Sequence, residues 1–210
     1  MKPRRIILIR HGQSEGNIDQ MKYTRTQDYK LNLTETGIEE AKNAGIKISD
    51  LIGEESLYVY ISPYFRTRQT YEEISKSVSN NVTRVKEDPR LREQDWGHLR
   101  HPDDSKPIEK ERDEYGTFYY RIPDGESGAD VYDRVSTFFE TIHRDFSKRD
   151  FPENVLIVTH GLTLRLFLMR WLHWSVEMFE SVANPVNCQI VIMERQEDNH
   201  FQLISDLKKK

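Results

Sequence analysis

The sequence predicts an α/β fold of three layers, with helices on both faces of a mostly parallel central sheet. Three observations carry that reading. Ile6–Ile9, Leu57–Ile61 and Val155–Val158 are continuous apolar runs, as expected of strands buried on both faces. Segments with helical apolar spacing separate them, and strands alternating with helices imply layered α/β packing. Two of the runs end in the same pair, Arg10-His11-Gly12 and Thr159-His160-Gly161. In open α/β sheets, ligands bind at the C-terminal ends of strands.

The elements follow in order. After the first strand, Thr34 is a good N-cap for a helix whose Ile38, Ala41, Ala44, Gly45, Ile48 and Leu51 share one face. Ser62-Pro63 opens the next helix, expected to run to about Ser77 with proline at its first position. Val131, Val135, Phe138, Phe139 and Ile142 mark a third helix, and Leu162–Trp174 a fourth. Cys188–Met193 is a further core strand, with Cys188 an inert buried thiol. The stretch from about 88 to 128 breaks the alternation. It reads as an insertion over the sheet, with a helix near Ser105–Tyr120.

With 210 residues, 36% hydrophobic and 31% charged, the chain suits a single soluble domain spanning 1–210. The net charge of −4 argues against bulk attraction to nucleic acid but leaves room for a local cationic pocket. A single cysteine excludes an internal disulfide. The apolar run at Ile6–Ile9 is too short for a signal-peptide core, and Leu162–Trp174 contains Arg165 and Arg170 and is too short to span a bilayer. A cytoplasmic location with no membrane partner is the default expectation.

A lone histidine after a strand is usually structural. Its repetition, with Arg10 beside the first copy, points to a functional site. Each following glycine would let backbone approach a ligand closely. Arg66, in the first turn of the helix after Leu57–Ile61, can fork two N–H groups onto a phosphate; Arg68 reads as a surface residue. His98, His101, Asp103 and Asp104 form a polar cluster, but zinc sites show better-ordered ligand sets. No metal and no cofactor is expected.

These segments resemble the histidine phosphatase superfamily, whose members include cofactor-dependent phosphoglycerate mutases. Leu8–Asn17 resembles its opening motif, Leu33–Gly37 its next segment, and Ser62–Arg66 with Thr70 its second-arginine motif. Leu91–Gly97 resembles its acid-bearing segment, Gly125–Ser127 with Arg134 the helix start after the insertion, and Thr159–Gly161 the second histidine motif. The matches run in family order over nearly the whole chain.

The resemblance implies roles. His11 would attack phosphorus and become phosphohistidine. Arg10, Arg66 and His160 would surround the phosphate oxygens, and Asn17 would add a neutral donor. Glu93 would protonate the leaving oxygen and then activate water. Gly161, Tyr23, Arg25 and Tyr119 are further substrate-side residues, and Tyr115, Phe118, Tyr120 and Arg121 are candidates to line the pocket from the insertion. The expected partner is a small phosphorylated metabolite. The chain looks most like the plant and fungal phosphoglycerate-mutase-like proteins related to broad-range acid phosphatases. The implied activity is hydrolysis of small phosphomonoesters. The mutase alternative is disfavoured because Tyr23–Tyr29 replaces an aromatic-rich mutase segment and a proline-rich insertion segment is missing. A second alternative, a non-catalytic phospho-ligand-binding module, would be expected to have lost one of the five central residues; all are present.

Overall fold

The computed structural model describes residues 2–98 and 101–210; Met1 and residues 99 and 100, within the predicted insertion, lie outside the described residues. The chain runs β1 (Arg5–Arg10), short helices α1 (Glu15–Ile18) and α2 (Lys22–Arg25), α3 (Glu35–Ile52), β2 (Leu57–Ile61), α4 (Phe65–Val78) and β3 (Val82–Glu87). It continues through α5 (Pro102–Tyr115), α6 (Gly128–Phe146), β4 (Asn154–Thr159), α7 (Gly161–Leu172), α8 (Val176–Ser181), β5 (Ile190–Arg195) and β6 (Phe201–Leu203). The six strands form one sheet in the order β3-β2-β4-β1-β5-β6. β3, β2, β4 and β1 are mutually parallel; β5 and β6 are antiparallel additions.

Alternation along the central strands builds two cores. Ile6, Leu8, Tyr58, Tyr60, Val155 and Ile157 face α6 and α7. Ile7, Ile9, Leu57, Val59, Ile61, Leu156 and Val158 face α3 and α4. The continuous apolar runs are thus two interleaved sets, one per face, and the three-layer expectation holds.

Local chemistry sets the boundaries. Thr34 caps α3, its side chain accepting from Gly37 N, and Ser127 caps α6 in a reciprocal capping box with Asp130. Pro63 lies two residues before α4 rather than at its first position. The insertion helix begins at Pro102, earlier than predicted. His101 Nδ1 accepts from Asp103 N at 3.2 Å as its cap, and Gly116 ends it at φ 108°. β5 starts at Ile190, because Cys188 sits at φ 52° and its N–H donates to Arg10 O at 3.1 Å. Cys188 is half-buried, and burial pushes its thiol up to about 12. Among the described residues, no helix is long and apolar enough to cross a membrane.

Candidate active site

The parallel strands deliver the key side chains to one sheet edge. His11 follows β1, and its N–H donates to Thr159 O at the end of β4. His160 follows β4, and Ser62, which follows β2, donates its N–H to Val158 O. The His11 and His160 rings meet edge to face at 5.2 Å between centroids. Both are nearly sealed from solvent, at 4% and 0% exposure.

Hydrogen bonds fix the His11 tautomer. Its Nδ1 lies 2.8 Å from Gly12 O. A carbonyl only accepts, so Nδ1 carries the proton and Nε2 carries the lone pair. Burial, then Arg66 and Arg10, hold His11 well below its ordinary pKa of 6.5. His160 is depressed in the same way by burial, Arg66 and His11. Both rings are therefore neutral at pH 7.

Two guanidinium groups flank them. Arg66, in the first turn of α4, is 3% exposed. Its Nη1 donates to both the backbone O and Oδ1 of Asp28, each at 2.8 Å, and it stacks on Tyr64 at 4.8 Å. Arg10 Nη1 donates to Pro185 O at 2.8 Å. Arg10 Nε and His160 Nδ1 are buried with no hydrogen-bond partner, whereas His160 Nε2 pairs with Ser62 Oγ at 2.8 Å. Buried polar atoms without partners are uncommon, and two stand around the same histidine pair.

Glu93 approaches from the segment before α5. Its carboxylate sits on the N-terminus of α7, accepting from Thr163 N at 3.3 Å and Leu162 N at 3.4 Å; Thr163 Oγ1, whose proton goes to Arg92 O at 2.7 Å, lies 3.2 Å from it. Arg134 in α6 donates to the backbone oxygens of Arg90, Arg92 and Glu93 at 2.6, 2.9 and 3.1 Å. Glu126 orients Arg134 in turn.

A cleft of about 470 Å³ opens over this set, lined by Arg10, His11, Asn17, Tyr23, Arg66 and Glu93 among others. It extends outward to Trp96, Pro102, Ser105 and Glu109. The structure thus brings Arg10, His11, Arg66, Glu93, Asn17 and Tyr23 to one cavity, with His160 packed behind His11.

Other predicted residues lie elsewhere. Arg25 is exposed on α2, away from the cleft lining. Tyr119 is 62% exposed, Tyr115 is 70% exposed, and Phe118 is buried in the α6–α7 core. Tyr120 donates to Glu111, and Arg121 pairs with Asp130. The turn at Gly116 redirects the chain so that Phe118 plugs the core beside Phe179. The first half of α5 and Trp96 form the wall instead. Gly161 is buried at the start of α7, where a Cβ would come within 3.2 Å of the Asn184 side chain. At Gly12 a Cβ would meet Gly37 O at 2.5 Å. At both glycines the missing side chain lets protein neighbours approach closely. Arg68 pairs with Glu87 on the surface. Among the described residues, no group of three or more His, Cys, Asp or Glu side chains could hold a metal ion.

Sequence reasoning missed Asp28, and it noted Glu126 and Arg134 without their role. Asp28 gives no local signal, because its partner is 38 residues away. The Glu126–Arg134 pair was visible only as part of a family-like helix start.

The fold and sequence have clear relatives. The chain is 44% identical to the phosphoglycerate mutase-like protein AT74 of Arabidopsis thaliana, covering 96% of this chain and 68% of that protein. It is 31% identical to the broad-range acid phosphatase DET1 of Saccharomyces cerevisiae, covering 99% and 90%. It is also 31% identical to a 2,3-bisphosphoglycerate-dependent phosphoglycerate mutase of Parvibaculum lavamentivorans, covering 80% of each chain. Among solved structures, a mycobacterial hydrolase superposes with a TM-score of 0.76 at 21% identity, covering 99% of both chains. A mycobacterial glucosyl-3-phosphoglycerate phosphatase superposes with a TM-score of 0.72 at 20% identity, covering 97% and 98%. At such identities these two superpositions speak for the fold. The model of the histidine phosphatase superfamily (branch 1) matches residues 6–206, and the chain belongs to that superfamily.

Proposed function

We propose that the protein hydrolyses small phosphomonoesters through a phosphohistidine on His11. The observation that carries this reading is the Nδ1 contact to Gly12 O. It leaves the Nε2 lone pair as the reactive atom of a neutral imidazole beside two arginines, which is what an in-line attack on phosphorus needs.

In the first step Nε2 bonds to phosphorus as the ester P–O bond breaks, and the Glu93 carboxyl gives its proton to the departing alcohol oxygen. In the second, the Glu93 carboxylate takes a proton from water. The hydroxide equivalent bonds to phosphorus, the P–N bond breaks, and His11 is regenerated neutral. Arg10 and Arg66 balance charge on the phosphoryl oxygens in both steps. If the Ser62 hydroxyl donates to His160 Nε2, the proton of neutral His160 stands on Nδ1, and the unpartnered Nδ1 and Arg10 Nε become donors that a phosphate would satisfy. Asn17 supplies a further donor at the mouth. The leaving group lies outward, between Glu93 and the wall of Trp96, Pro102, Ser105 and Glu109.

The identity to a bacterial mutase keeps isomerisation of a phosphorylated sugar acid as a second reading. One experiment tests both. Free phosphate and product isomers are followed together with 3-phosphoglycerate and with aryl and alkyl phosphates, with and without bisphosphorylated primer. Acid-labile, base-stable label is trapped by quenching. Phosphate release with label dependent on His11 is expected, and His11→Ala should abolish both. Full turnover by that variant refutes the phosphohistidine, and rapid primer-dependent isomerisation with negligible phosphate release makes the mutase reading correct.

A further inference from the structure

The segment between α8 and β5 carries contacts that the proposed chemistry does not use. Pro185 O takes the Arg10 guanidinium, and Cys188 N donates to Arg10 O. Between them stands Asn187, half-buried, 170 residues from Asn17 and 176 from His11. Its Nδ2 donates to His11 O at 3.0 Å and to Asn17 Oδ1 at 3.3 Å.

The orientation of these two amides can be deduced. A backbone carbonyl is an acceptor only, so His11 O requires the NH₂ end of Asn187 to face it. That same NH₂ then faces Asn17 and requires an oxygen there. Ser14 N, at 3.0 Å from Asn17 Oδ1, makes the same demand, and the Ser14 hydroxyl at 3.1 Å can donate to the same oxygen. With Oδ1 held from both sides, the Asn17 NH₂ has no protein partner among the described residues, on a side chain that lines the cleft. A flipped Asn17 would set its NH₂ against the Asn187 NH₂ and present an oxygen to an anion.

We propose that Asn187 is a positioning residue. It ties the backbone of His11 to the side chain of Asn17 and keeps the Asn17 N–H donors turned toward the phosphoryl oxygens. This inference rests on the phosphoryl-transfer reading of the site. It adds a residue that never touches the substrate and acts through one that does.

The test is a double-mutant cycle of Asn187→Ala and Asn17→Ala, read in two ways. The first readout is kcat and KM for an aryl phosphate. The second is calorimetric binding of inorganic phosphate, which needs no turnover. Each single variant should lose about tenfold in kcat/KM and in phosphate affinity, and the double variant should be at most about threefold worse than the poorer single one, because residues acting through one contact are not additive. The kinetic loss should fall on KM, with kcat within about threefold, since an Asn17 donor meets phosphoryl oxygens in both ground and transition states. Asn187→Asp keeps the shape but removes the donors, and should lose at least as much as Asn187→Ala. Losses that multiply in the double variant, or native behaviour of Asn187→Asp, would overturn the proposal. A protein that binds phosphate with the expected coupling but releases none from any ester would refute the hydrolase reading and leave the role of Asn187 standing.

Discussion

Acidification should destabilise this protein well before its carboxylates titrate, and the buried His11 and His160 set the size of the effect. His11 and His160 are 4% and 0% exposed, and burial with nearby arginines depresses both below 6.5. In the unfolded chain each regains its ordinary value and binds a proton as pH falls through 6.5. The folded state does not, so stability is fully present above 6.5 and is lost below it. Between pH 7.5 and 5.5 the loss is on the order of 1 kcal/mol per ring, or roughly 2–3 kcal/mol for the pair. With a urea slope of roughly 2–3 kcal/mol/M for a chain of this size, the unfolding midpoint should fall by about 1 M.

Few other groups intrude in that window. Asp130, held at about 2 by Ser127 and Arg121 against the cost of burial, and Asp145, lowered by Lys148 and Tyr60 against the same cost, lose their contributions only below the ordinary aspartate value of 3.8. His143, lowered by partial burial and by Lys2 and Arg170, adds a smaller slope of the same sign. His160→Gln should shift the whole curve but remove about half of the pH-dependent part. The assay is urea unfolding followed by far-UV circular dichroism at pH 7.5, 6.5 and 5.5. A midpoint that is flat across those pH values, or a slope unchanged by His160→Gln, would refute the neutral, buried histidine pair.

Other outcomes follow from the same geometry. Glu93→Gln should slow alkyl phosphates about a hundredfold but aryl phosphates with good leaving groups far less, measured as the burst of alcohol release, because only poor leaving groups need the proton. Asp28→Ala removes the carboxylate that orients the Arg66 guanidinium and should lower kcat/KM about tenfold through misplacement of that fork, read by steady-state kinetics. Turnover should survive exhaustive chelation, since Arg10 and Arg66 supply the charge that a metal would; loss on chelation with rescue by one divalent ion would reject that assignment.

What could be read from the sequence follows burial. The runs at Ile6–Ile9, Leu57–Ile61 and Val155–Val158 are legible because both sheet faces are covered, so every position is apolar. β3 and β6 escape the same reading. Val82–Glu87 is an edge strand with mostly exposed side chains, and Phe201–Leu203 has three residues. Both are held by ladder hydrogen bonds, which leave little trace in composition. The pairing of His11 and His160 was legible from the repeated strand ending. The family resemblance, not spacing, singled out Glu93. The insertion aromatics misled, because Tyr115, Phe118 and Tyr119 look like a pocket lining until the turn at Gly116 shows where the chain goes. Asp28 and Asn187 act across long sequence separations through turns with no regular period, so neither could be found by pattern.

The placement of Glu93 poses a separate physical problem. Glu93 lies outside any helix or strand, yet the proton donor proposed for it must hold its place to within a fraction of an ångström. Here precision comes from cross-links instead of regular structure. Arg134 clamps three backbone carbonyls of the segment, and Glu126 binds Arg134, Arg92 and Asp95 N. Thr159 and Thr163 fasten the oxygens of Leu91 and Arg92 to the end of β4 and the start of α7. These anchors lie on α6, β4, α7 or the turn before α6; α5 adds Arg112, from its second half, donating to Gln94 Oε1 at 3.0 Å, and none of these anchors lies on its first half. The cover formed by Trp96 and the first half of α5 can therefore differ in shape and chemistry without moving Glu93 relative to His11. On the proposed reading, the scaffold separates a fixed centre at His11 and Glu93 from a leaving-group wall at Trp96 and the first half of α5 that can vary independently.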